Sequence, residues 1–540
     1  MKHICLSIAL SLLSFGMMFG QQITQTEVNA QLQNLPFASY SITLPTFPDK
    51  TFNITEAGAV GDGLIKNTQA INSTIEKCSK AGGGKVLVPA GLWLTGPITM
   101  QSNVNLYLAE GAIVIFSADL NDYPIISDDG KYTIPDLING SNLENVAITG
   151  KGVFNGNGQY WRMIKKGKMT NSQWNEYAKT GEITEDSDLC YPRKGTLAAL
   201  NLLANKSKSE ITKDEWETKV KPSLRPYMLA IKKSKNVLIE GVTLNNSPKF
   251  AMNISDINGL VLHQVNVQNE WWAQNGDGLD IGRSKNVLVY ECTVNTGDDG
   301  ICMKSAAGKK NEFSLENIVI KNCKVYHAHG GFVIGSNTDA NMHNIYVTNC
   351  SFIGTDTGIR VKSNVGRGGK VTNIFCENIY MKDIENAAIV YELEYNDVGA
   401  VKTKDARIDT TKVPDFDGFS IKNVYCDGAK IGISIGGTEA SHVKNVLFKD
   451  IIIKAKDGVK AKLSENITLD NVTIISDKNP TFSLNNVNGF TFKNIKNVAT
   501  DGIFIKVTGK ASKGIKVENS AIKAKQIELS DNLKPSILTH

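Results

Sequence analysis

A short phrase built on asparagine recurs along this chain and limits the folds that the chain can adopt. In each copy Asn is followed by an aliphatic residue, then by a residue of any type, then by a second apolar residue. From Asn236 onward the steps include 23, 27, 31 and 27 residues, and later 21 and 23, if Gly259 and Gly489 are counted in place of Asn. Self-similarity at such a period is typical of a solenoid, in which each unit contacts only its neighbours. The copies begin at Asn103, Asn145, Asn236, Asn286, Asn317, Asn344, Asn445 and Asn466, with shorter matches at Asn373 and Asn423.

Two kinds of solenoid have repeats of this length. A leucine-rich repeat needs a Leu-x-x-Leu-x-Leu pattern with a helix or a tight turn in each unit. This chain instead alternates β-branched residues between turns of Gly, Asn and Asp, which favours strands. The pattern therefore predicts an all-β parallel β-helix with three short strands per coil, stacked about 4.8 Å apart. Asn suits its corners because it tolerates left-handed backbone and can hydrogen-bond to the Asn of the next coil.

The length of the chain agrees with a solenoid. A single globular core rarely exceeds about 300 residues, whereas the chain has 540. Met1–His3, an apolar run from Ile4 to Phe19 and the polar residues that follow are typical of a secretory signal peptide. A membrane anchor would need about 20 apolar residues. We therefore expect a signal peptide at 1–20, one β-helix domain at 21–540, and a secreted or periplasmic protein without membrane contact after cleavage.

Three parts of this domain depart from the repeat. An N-terminal cap is expected at about 45–100, with a helix over 67–81 that Asn67 caps. Residues 159–225 do not repeat and are polar, with helix-compatible stretches. Such insertions often form loops on the binding face of a solenoid, although a surface decoration without a role is the alternative. A C-terminal cap is expected from about residue 500.

Charge and cysteine content exclude several classes of protein. The formal charge of +5 is spread along the chain, without the basic blocks that indicate nucleic-acid binding. Disulfides are possible in an exported protein, but five cysteines occur in similar contexts and are expected to form one buried stack. None has the close paired spacing of a zinc site. These cysteines are Cys292, Cys323, Cys350, Cys376 and Cys426.

The chemistry is concentrated in two Gly-flanked turns. Asp277 lies in Asn-Gly-Asp-Gly, and Asp298 and Asp299 lie in Thr-Gly-Asp-Asp-Gly, 21 positions further from Asp277 to Asp298. If successive coils stack, the three carboxylates meet and cannot all ionise freely, so that at least one pKa rises. Carboxyls about 6.5–9.5 Å apart would leave room for a water and give inversion at an anomeric carbon. A calcium site or ordinary turn chemistry is the alternative.

The following coils carry further candidates. His329 precedes a Gly-Gly turn, and Arg360 and Lys362 follow about one coil later on the same face of a strand. The two cations could balance the acidic cluster or bind a substrate carboxylate. Trp271 and Trp272 border the first acidic turn, where they could stack on a sugar or pack in a core.

These motifs resemble glycoside hydrolase family 28, the polygalacturonases and their relatives. The family pattern is Asn-Thr-Asp, Gly-Asp-Asp, Gly-His-Gly and Arg-Ile-Lys, in that order. Two departures are that Gly276 replaces Thr and that the His stands one residue further from the Gly-Ser end of its motif. The matching segments are Asn275–Asp277, Gly297–Asp299, His329–Gly331 and Arg360–Lys362.

The resemblance implies roles for the catalytic residues. Asp298 would be the general acid, and Asp277 and Asp299 would hold and activate water. His329 would tune the acid through a hydrogen bond. The resemblance also implies a right-handed β-helix, an inverting outcome, and neither cofactor nor metal.

It also implies the substrate-binding residues. Arg360 and Lys362 would bind a galacturonate carboxylate, with Tyr395 beside them and Tyr391 as a competing candidate. Asn275 and Lys304, which border the two acidic turns, are the remaining substrate-binding candidates.

The sequence therefore predicts a monomeric inverting hydrolase of α-1,4 galacturonate linkages in a pectic polysaccharide or oligosaccharide. If the insertion blocks one end of the groove, the enzyme is exo-acting. A rhamnogalacturonan hydrolase or galacturonohydrolase of the same family is the main alternative. A pectate lyase and a non-catalytic polysaccharide-binding β-helix are further alternatives.

Overall fold

The computed structural model describes residues 22–128, 131–308, 314–395, 409–496, 502–530 and 533–539. The predicted signal peptide at 1–20 lies outside them. Within these ranges, no helix is long and apolar enough to span a membrane.

Short strands follow one another along nearly the whole described chain. The first eleven are β1 Thr51–Asn53, β2 Gly84–Val88, β3 Gly91–Thr95, β4 Ile98–Thr99, β5 Val104–Leu108, β6 Ala112–Phe116, β7 Ile126–Asp128, β8 Lys131–Thr133, β9 Ile138–Ser141, β10 Glu144–Gly150 and β11 Val153–Asn155. Three lie in the insertion: β12 Ile164–Lys165, β13 Glu182–Ile183 and β14 Leu189–Tyr191. The central coils contain β15 Leu229–Glu240, β16 Thr243–Asn245, β17 Met252–His263, β18 Asn266–Gln268, β19 Leu279–Ile281, β20 Ser284–Tyr290, β21 Thr293–Asn295, β22 Asp299–Met303, β23 Leu315–Lys321, β24 Lys324–Tyr326, β25 Gly330–Ile334, β26 Met342–Ile353 and β27 Thr357–Lys362. The last coils contain β28 Lys370–Glu392, β29 Asp415–Gly436, β30 Val443–Ala455, β31 Asp457–Ser476, β32 Phe482–Lys493, β33 Ile505–Thr508, β34 Lys513–Glu518, β35 Ile527–Leu529 and β36 Leu538–Thr539.

Helices are few and lie outside the coils. The α-helices are α1 Gln25–Gln31, α2 Thr68–Lys80, α3 Asn171–Thr180, α4 Thr196–Asn205 and α5 Lys213–Glu215, the last continuing into a π-turn at Trp216–Val220. Short 3₁₀ segments occur at Ile54–Ala57, Leu120–Asp122, Gly158–Tyr160, Lys166–Lys168, Lys208–Glu210, Lys221–Ser223, Ala524–Gln526 and Pro535–Ile537.

The strands pair in parallel between successive coils and form three ladders, so that the fold is the predicted right-handed parallel β-helix. We number the ladders in the order in which the chain enters them within a coil. The first contains β5, β10, the end of β15, the end of β17, β20 and β23. The second contains β6, β11, β16, β18, β21 and β24. The third contains β9, the start of β15, the start of β17, β19, β22, β25 and β27.

Inward-facing side chains stack in register and fill the core. In the first ladder Leu260 pairs with Val287, Val287 with Ile318, and Ile318 with Ile345, and all four are buried. Strands such as β2 and β6 bury alternate residues, which explains the apolar alternation in the sequence. Most of the predicted asparagine positions lie at the corner between the third and first ladders. Asn423 is the exception, since its amide donates to Asn378 at the corner between the first and second ladders.

The asparagines at the corner between the third and first ladders behave as predicted. Asn286, Asn317 and Asn344 have positive φ angles of 58°, 59° and 57°. The Asn317 amide donates to Asn286 Oδ1 at 3.2 Å, and the Asn344 amide donates to Asn317 Oδ1 at 3.1 Å. Because the hydrogen bonds follow the coil spacing, this ladder holds successive coils in register.

The cysteine prediction is confirmed in one respect and wrong in another. All five candidates are buried and free. Only three share one position: Cys292, Cys323 and Cys350 occupy equivalent sites at the corner between the first and second ladders. Cys376 pairs with Val347 and Cys426 with Met381, so these two lie within strands. A shared sequence context therefore does not give a shared corner. Cys376 and Cys426 follow the Asn of their phrase by three residues, whereas the three corner cysteines follow theirs by six.

The N-terminal end is closed by α2, which confirms the predicted capping helix. Ile71, Ile75 and Cys78 are buried against the first coils. Asn67 precedes the helix, but its side chain makes no cap hydrogen bond; its amide donates instead to the carbonyls of Val60 and Ile65 at 3.0 and 2.8 Å. The expectation of a side-chain cap is therefore wrong.

Residues before β1 cover the outer face of the first ladder. Ile23, Val28 and Ile42 pack on outward apolar residues that include Val261 and Leu288. The Ile23 backbone N–H donates to buried Glu240 at 2.6 Å. This segment thus shields an apolar strip that the coil pattern leaves on the surface.

The segment expected to be an insertion emerges between β11 and β15, at the corner between the second and third ladders. It contains α3, α4 and an antiparallel sheet of β12, β14 and β13. Fully buried Arg162 ties it to the next corner, donating to Ser247 O at 2.7 Å and Asn246 Oδ1 at 2.8 Å. This corner also carries the acidic turns, in later coils.

At the other end, strand pairing continues beyond residue 500. β33 and β35 extend the third ladder, and β34 and β36 extend the first. The sequence repeat weakens there, but the ladders of the described residues do not end with it.

Candidate active site

Stacking of coils brings the acidic turns together. Leu279 pairs with Ile301, so Asp277 lies beside Asp299 in the adjacent coil. The Gly278 N–H donates to Asp299 O, and the His329 N–H donates to Asp298 O, both at 2.8 Å. One carboxylate oxygen from each of Asp277, Asp298 and Asp299 lies within 4.8 Å of the others. The site therefore sits at the corner between the second and third ladders.

Lysine ammonium groups hold two of the three aspartates. Lys304 Nζ lies 2.8 Å from Asp277 Oδ2 and 2.5 Å from Asp280 Oδ2. Lys362 Nζ lies 2.7 Å from Asp299 Oδ2. The side chains of Asp277 and Asp299 are each 4% exposed. Burial of two carboxylates is tolerable because each has a cation in contact.

Asp298 has a different environment. Its side chain is 13% exposed, and His329 Nδ1 lies 3.1 Å from its Oδ1. The backbone N–H groups of Asn275 and Asp299 donate to its two oxygens at 3.1 and 3.0 Å. Asp298 is thus the member of the triad that is most open and that contacts an imidazole.

The three carboxyl groups differ in pKa. Burial raises the pKa of Asp277 well above its usual range, and the charges of its acidic neighbours add to this, against the effect of Lys304. Burial also acts to raise the pKa of Asp299 and of Asp298. The charge of Lys362 outweighs this effect at Asp299, and the hydrogen bond and charge of His329 outweigh it at Asp298. Both pKa values therefore fall below the usual range. The expectation that one pKa rises therefore applies to Asp277.

Two carboxylate oxygens of the triad accept no hydrogen bond from the described residues. Asp277 Oδ1 and Asp299 Oδ1 are both buried, and neither accepts a hydrogen bond. Their Oδ2 atoms are the ones held by lysine. Because unsatisfied buried acceptors are rare, a pair of them in adjacent coils indicates a place where a water or hydroxyl binds.

The three carboxylates lie at about the spacing of adjacent coils. One oxygen from each lies within 4.8 Å of the others, and adjacent coils of a parallel β-helix are about 4.8 Å apart. This distance joins single oxygens and is not the separation between carboxyl groups that is about 6.5–9.5 Å in inverting glycosidases.

A cationic and aromatic group lies beside the triad. Arg360 Cζ lies 5.4 Å and Lys362 Nζ 4.9 Å from the centre of the Tyr395 ring. Arg360 Nη1 lies 3.8 Å from Asp299 Oδ1. Tyr391, the competing candidate, is buried in the core and packs against Phe419 at 5.0 Å. Of the two tyrosines, only Tyr395 lies beside the cations.

Asn275 and Lys304 already have partners within the protein. Asn275 Oδ1 accepts from Arg225 Nη2 at 2.8 Å, and its backbone N–H donates to Asp298. Lys304 is bound to two carboxylates, with its side chain 20% exposed. The structure thus gives both residues a part in ordering the aspartates.

The triad also has the spacing of a metal site. Calcium requires six to eight oxygen ligands. Here Lys304 and Lys362 each occupy one oxygen of an aspartate in the triad. The lysines supply the charge compensation that a divalent cation would bring, so the site does not suit calcium.

Comparison with known proteins agrees with this architecture. The profile of the glycosyl hydrolases family 28 matches residues 209–454. An exo-poly-α-D-galacturonosidase of Dickeya chrysanthemi is 29% identical over 482 residues, which is 85% of this chain and 76% of that protein. An endo-polygalacturonase of Pectobacterium carotovorum subsp. carotovorum is 24% identical and covers 78% of this chain and 88% of its own.

Solved structures of similar proteins have the same fold. The crystal structure of a hyperthermoactive exopolygalacturonase from Thermotoga maritima superposes with a TM-score of 0.64 at 25% identity, covering 84% of this chain and 96% of that one. A family 28 exopolygalacturonase of Yersinia enterocolitica gives 0.62 at 21% identity, covering 90% and 79%.

Residues 209–454, which carry all four motifs, match glycoside hydrolase family 28. The chain is therefore an enzyme that hydrolyses glycosidic bonds. Within this family 28 hydrolase, the four ordered motifs occupy successive coils. The first three lie at the corner between the second and third ladders, and Arg360–Lys362 lie within β27 of the third ladder.

Sequence reasoning missed several charged residues at this corner of the family 28 hydrolase. Arg225, Tyr227 and Lys249 lie in the two coils before Asp277, and Lys168 reaches the site from the insertion. Lys168 Nζ donates to Trp271 O at 3.3 Å and lies 5.6 Å from the centre of the Trp271 ring. Coil counting back from Asp277 could have found Lys249, but nothing in the sequence places Lys168.

Replacing Lys304 with Met is expected to destabilise the protein by about 3–5 kcal/mol near neutral pH, because Asp277 and Asp280 would be left buried without a cation. Burial already raises the pKa of Asp280 to about 6. A raised folded-state pKa gives stability that is complete below the unfolded value and is lost as pH rises through the folded value. The deficit of Lys304→Met should therefore shrink as pH falls toward about 4.

Urea midpoints at neutral and acidic pH measure this. Lys454→Met, which leaves the half-exposed Asp427 behind, is the matched control and should change little. A loss of stability that is the same at both pH values would contradict the assignment of Lys304 as the charge partner of Asp277 and Asp280.

Proposed function

We propose that this enzyme hydrolyses α-1,4 galacturonosyl linkages of a pectic polymer, acting outside the cytoplasm as a monomer. The observation that carries the proposal is the buried Asp277–Asp298–Asp299 triad, which contacts Lys362 and lies beside Arg360 of β27. The relatives named as polygalacturonases support the choice of polymer.

Asp298 is the proposed general acid. It is the triad member with the greatest exposure and the one in contact with an imidazole. Its low pKa in the free enzyme reflects, after the opposing effect of burial, the hydrogen bond and charge of His329 and the charges of Lys362 and Lys304. A substrate carboxylate entering the site adds negative charge and removes water, and both changes raise the pKa of Asp298. Asp298 would thus take up its proton when the substrate binds.

Asp277 and Asp299 are the proposed water-binding pair. Their Oδ1 atoms accept no hydrogen bond within the described residues, and a water between them could donate to both. A carboxylate whose second oxygen is held by lysine is also restrained from moving to attack carbon as a nucleophile. We therefore favour direct attack by water, which inverts the anomeric carbon.

Arg360, Lys362 and Tyr395 form the proposed binding site for the galacturonate on the leaving-group side. Arginine can contact a carboxylate through two N–H groups. Lys362 would interact with it as a second positive charge. The aromatic ring of Tyr395 offers an apolar face to the sugar.

The insertion supports exo action. It leaves the β-helix at the same corner as the triad, three coils before Asp298. Its Lys168 extends as far as Trp271, and the charges of Asp298 and Asp356 act on this lysine. A polymer in the groove would meet this wall on the side opposite Arg360. Removal of single galacturonate units from a chain end follows from a groove that is closed on one side.

Asp298→Asn is expected to lower kcat by about 10²–10⁴-fold while leaving oligomer binding intact, because only proton donation is lost. The rate of product formation on homogalacturonan and rhamnogalacturonan oligomers measures this loss of kcat, with the surface variant Asp427→Asn as control.

The same product analysis tests the alternative functions. An unsaturated, ultraviolet-absorbing product or loss of activity with a chelator would indicate a lyase instead. Oligomer binding without turnover by the unmodified enzyme would indicate a binding protein.

The stereochemical prediction is that the first product is the β-anomer. Inversion of an α-linkage requires this outcome when water attacks directly. Proton NMR during the first minutes of digestion, before mutarotation, distinguishes the anomers. An α-anomer as the first product would show retention and would exclude the proposed roles of Asp277 and Asp299.

The prediction for exo action is that reducing ends accumulate while polymer viscosity hardly falls. Removal of one unit per cut leaves the chain long, whereas internal cuts shorten it rapidly. Viscometry and a reducing-end assay on the same polygalacturonate sample measure both quantities. A rapid fall in viscosity with few reducing ends would overturn exo action and leave the hydrolytic site unaffected.

A further inference from the structure

Three side chains of the active-site corner lie in the two coils before the triad. Arg225 and Tyr227 precede β15, and Lys249 precedes β17. Backbone hydrogen bonds connect this row to the triad, from Met228 N to Phe250 O at 3.0 Å and from Ala251 N to Asp277 O at 2.8 Å. The three side chains therefore lie along the groove on the side that the insertion closes.

Lys249 differs from the two lysines of the triad. Within the described residues, no carboxylate lies within ion-pair distance of its Nζ. This atom donates instead to Tyr227 Oη at 3.3 Å and lies 4.7 and 5.4 Å from the ring centres of Tyr227 and Phe250. Burial of an ammonium group without an anion is costly, and the half-buried Lys249 thus carries a charge that the protein itself does not pair.

Arg225 adds a second cation with only neutral contacts. Its Nη1 donates to Gln274 O at 3.1 Å and its Nη2 to Asn275 Oδ1 at 2.8 Å. It contacts the segment whose Asn275 N–H holds Asp298. Positive charge is therefore built into this wall of the groove, next to the general acid.

The charges facing Lys249 come from several elements. Burial and the charge of Arg225 lower the pKa of Lys249 to about 8, against the opposing charges of Asp136 and Asp277, and Lys304 lowers it further. Burial also lowers the pKa of Arg225 to about 10, with Tyr191, Tyr227, Arg162 and Asp277 as the charged neighbours. An anion bound between Lys249 and Arg225 would stabilise the charged form of both side chains and raise both pKa values.

We infer that Lys249, with Tyr227 Oη and Arg225, binds the carboxylate of the galacturonate at the closed end of the groove. Lys249 lies two coils before Asp298, or about 10 Å at the usual coil spacing. That distance is about the size of one sugar unit with its substituents. The enzyme would thus bind a carboxylate on each side of the cleaved bond, through Lys249 on the side closed by the insertion and through Arg360 and Lys362 on the leaving-group side. This inference rests on the proposed pectic substrate.

Affinity for this carboxylate should depend on pH. The bound anion requires the ammonium form of Lys249, whose free-enzyme pKa is about 8. Affinity should be constant below that value and fall about tenfold per pH unit above it.

The test compares two probes, galacturonic acid and its neutral methyl ester, by calorimetry on the unmodified enzyme and on Lys249→Met. The unmodified enzyme should prefer the acid. Lys249→Met should lose about 10–100-fold of affinity for the acid, the usual effect of removing a charged hydrogen bond, and little for the ester. The pH dependence above about 8 should disappear in the variant.

A kinetic arm uses trigalacturonate with either a free or a methyl-esterified non-reducing end. Lys249→Met should raise KM for the free acid and leave the ester unchanged. Lys454→Met, a lysine paired with Asp427 on another face, is the control. Equal losses on acid and ester, or no loss on either, would overturn the inference. Absence of turnover by the unmodified enzyme would overturn the proposed function. The calorimetric comparison would still show whether Lys249 binds the carboxylate.

Discussion

Backbone hydrogen bonding between successive coils is the constraint on which the rest of this structure depends. It fixes the rise per coil at about the strand spacing, and it sets residues of consecutive coils side by side. Asp277 meets Asp299 because Leu279 pairs with Ile301, not because the two aspartates attract each other. Asn corners with positive φ and an amide ladder keep this register where the chain turns.

Bringing carboxylates this close has an electrostatic cost, and the protein offsets it with cations from the same ladder. Lys304 and Lys362 come from the third ladder and contact Asp277 and Asp299. Asp298 has His329 instead, an imidazole rather than an ammonium group, whose Nδ1 lies 3.1 Å from its Oδ1. The difference in partners, rather than in residue type, is what separates the proposed acid from the proposed water-binding pair.

Much of the fold and the centre of the site could be predicted from the sequence, because both follow from periodicity. The Asn phrase marks a corner in each coil, and the Asp motifs keep coil spacing. Prediction failed where one local context occurs at different points of the coil, as for Cys376 and Cys426, which share a context with the corner cysteines but lie within strands. Tyr391 and Tyr395 are only four residues apart, yet the end of β28 separates a core residue from one beside the cations.

Lys168 illustrates a further limit. It lies about a hundred residues from Trp271 in the chain, in a segment without repeat, and only the packing of that segment brings it to the groove. Lys249 keeps the coil spacing but belongs to no motif of the family pattern that the sequence showed. Register could have located it, whereas its lack of an anionic partner is a property of the folded protein alone.

The corner between the second and third ladders has a consequence for how such enzymes diversify. The length of this corner differs between coils. It is more than seventy residues long between β11 and β15, only a few residues long before β17, and longer again before β19. The ladders on either side stay in register through all of these lengths. Chain length at the corner is therefore uncoupled from the stability of the core. New walls or pockets can be gained or lost there by insertion and deletion, while the inherited position of the reacting groups is preserved.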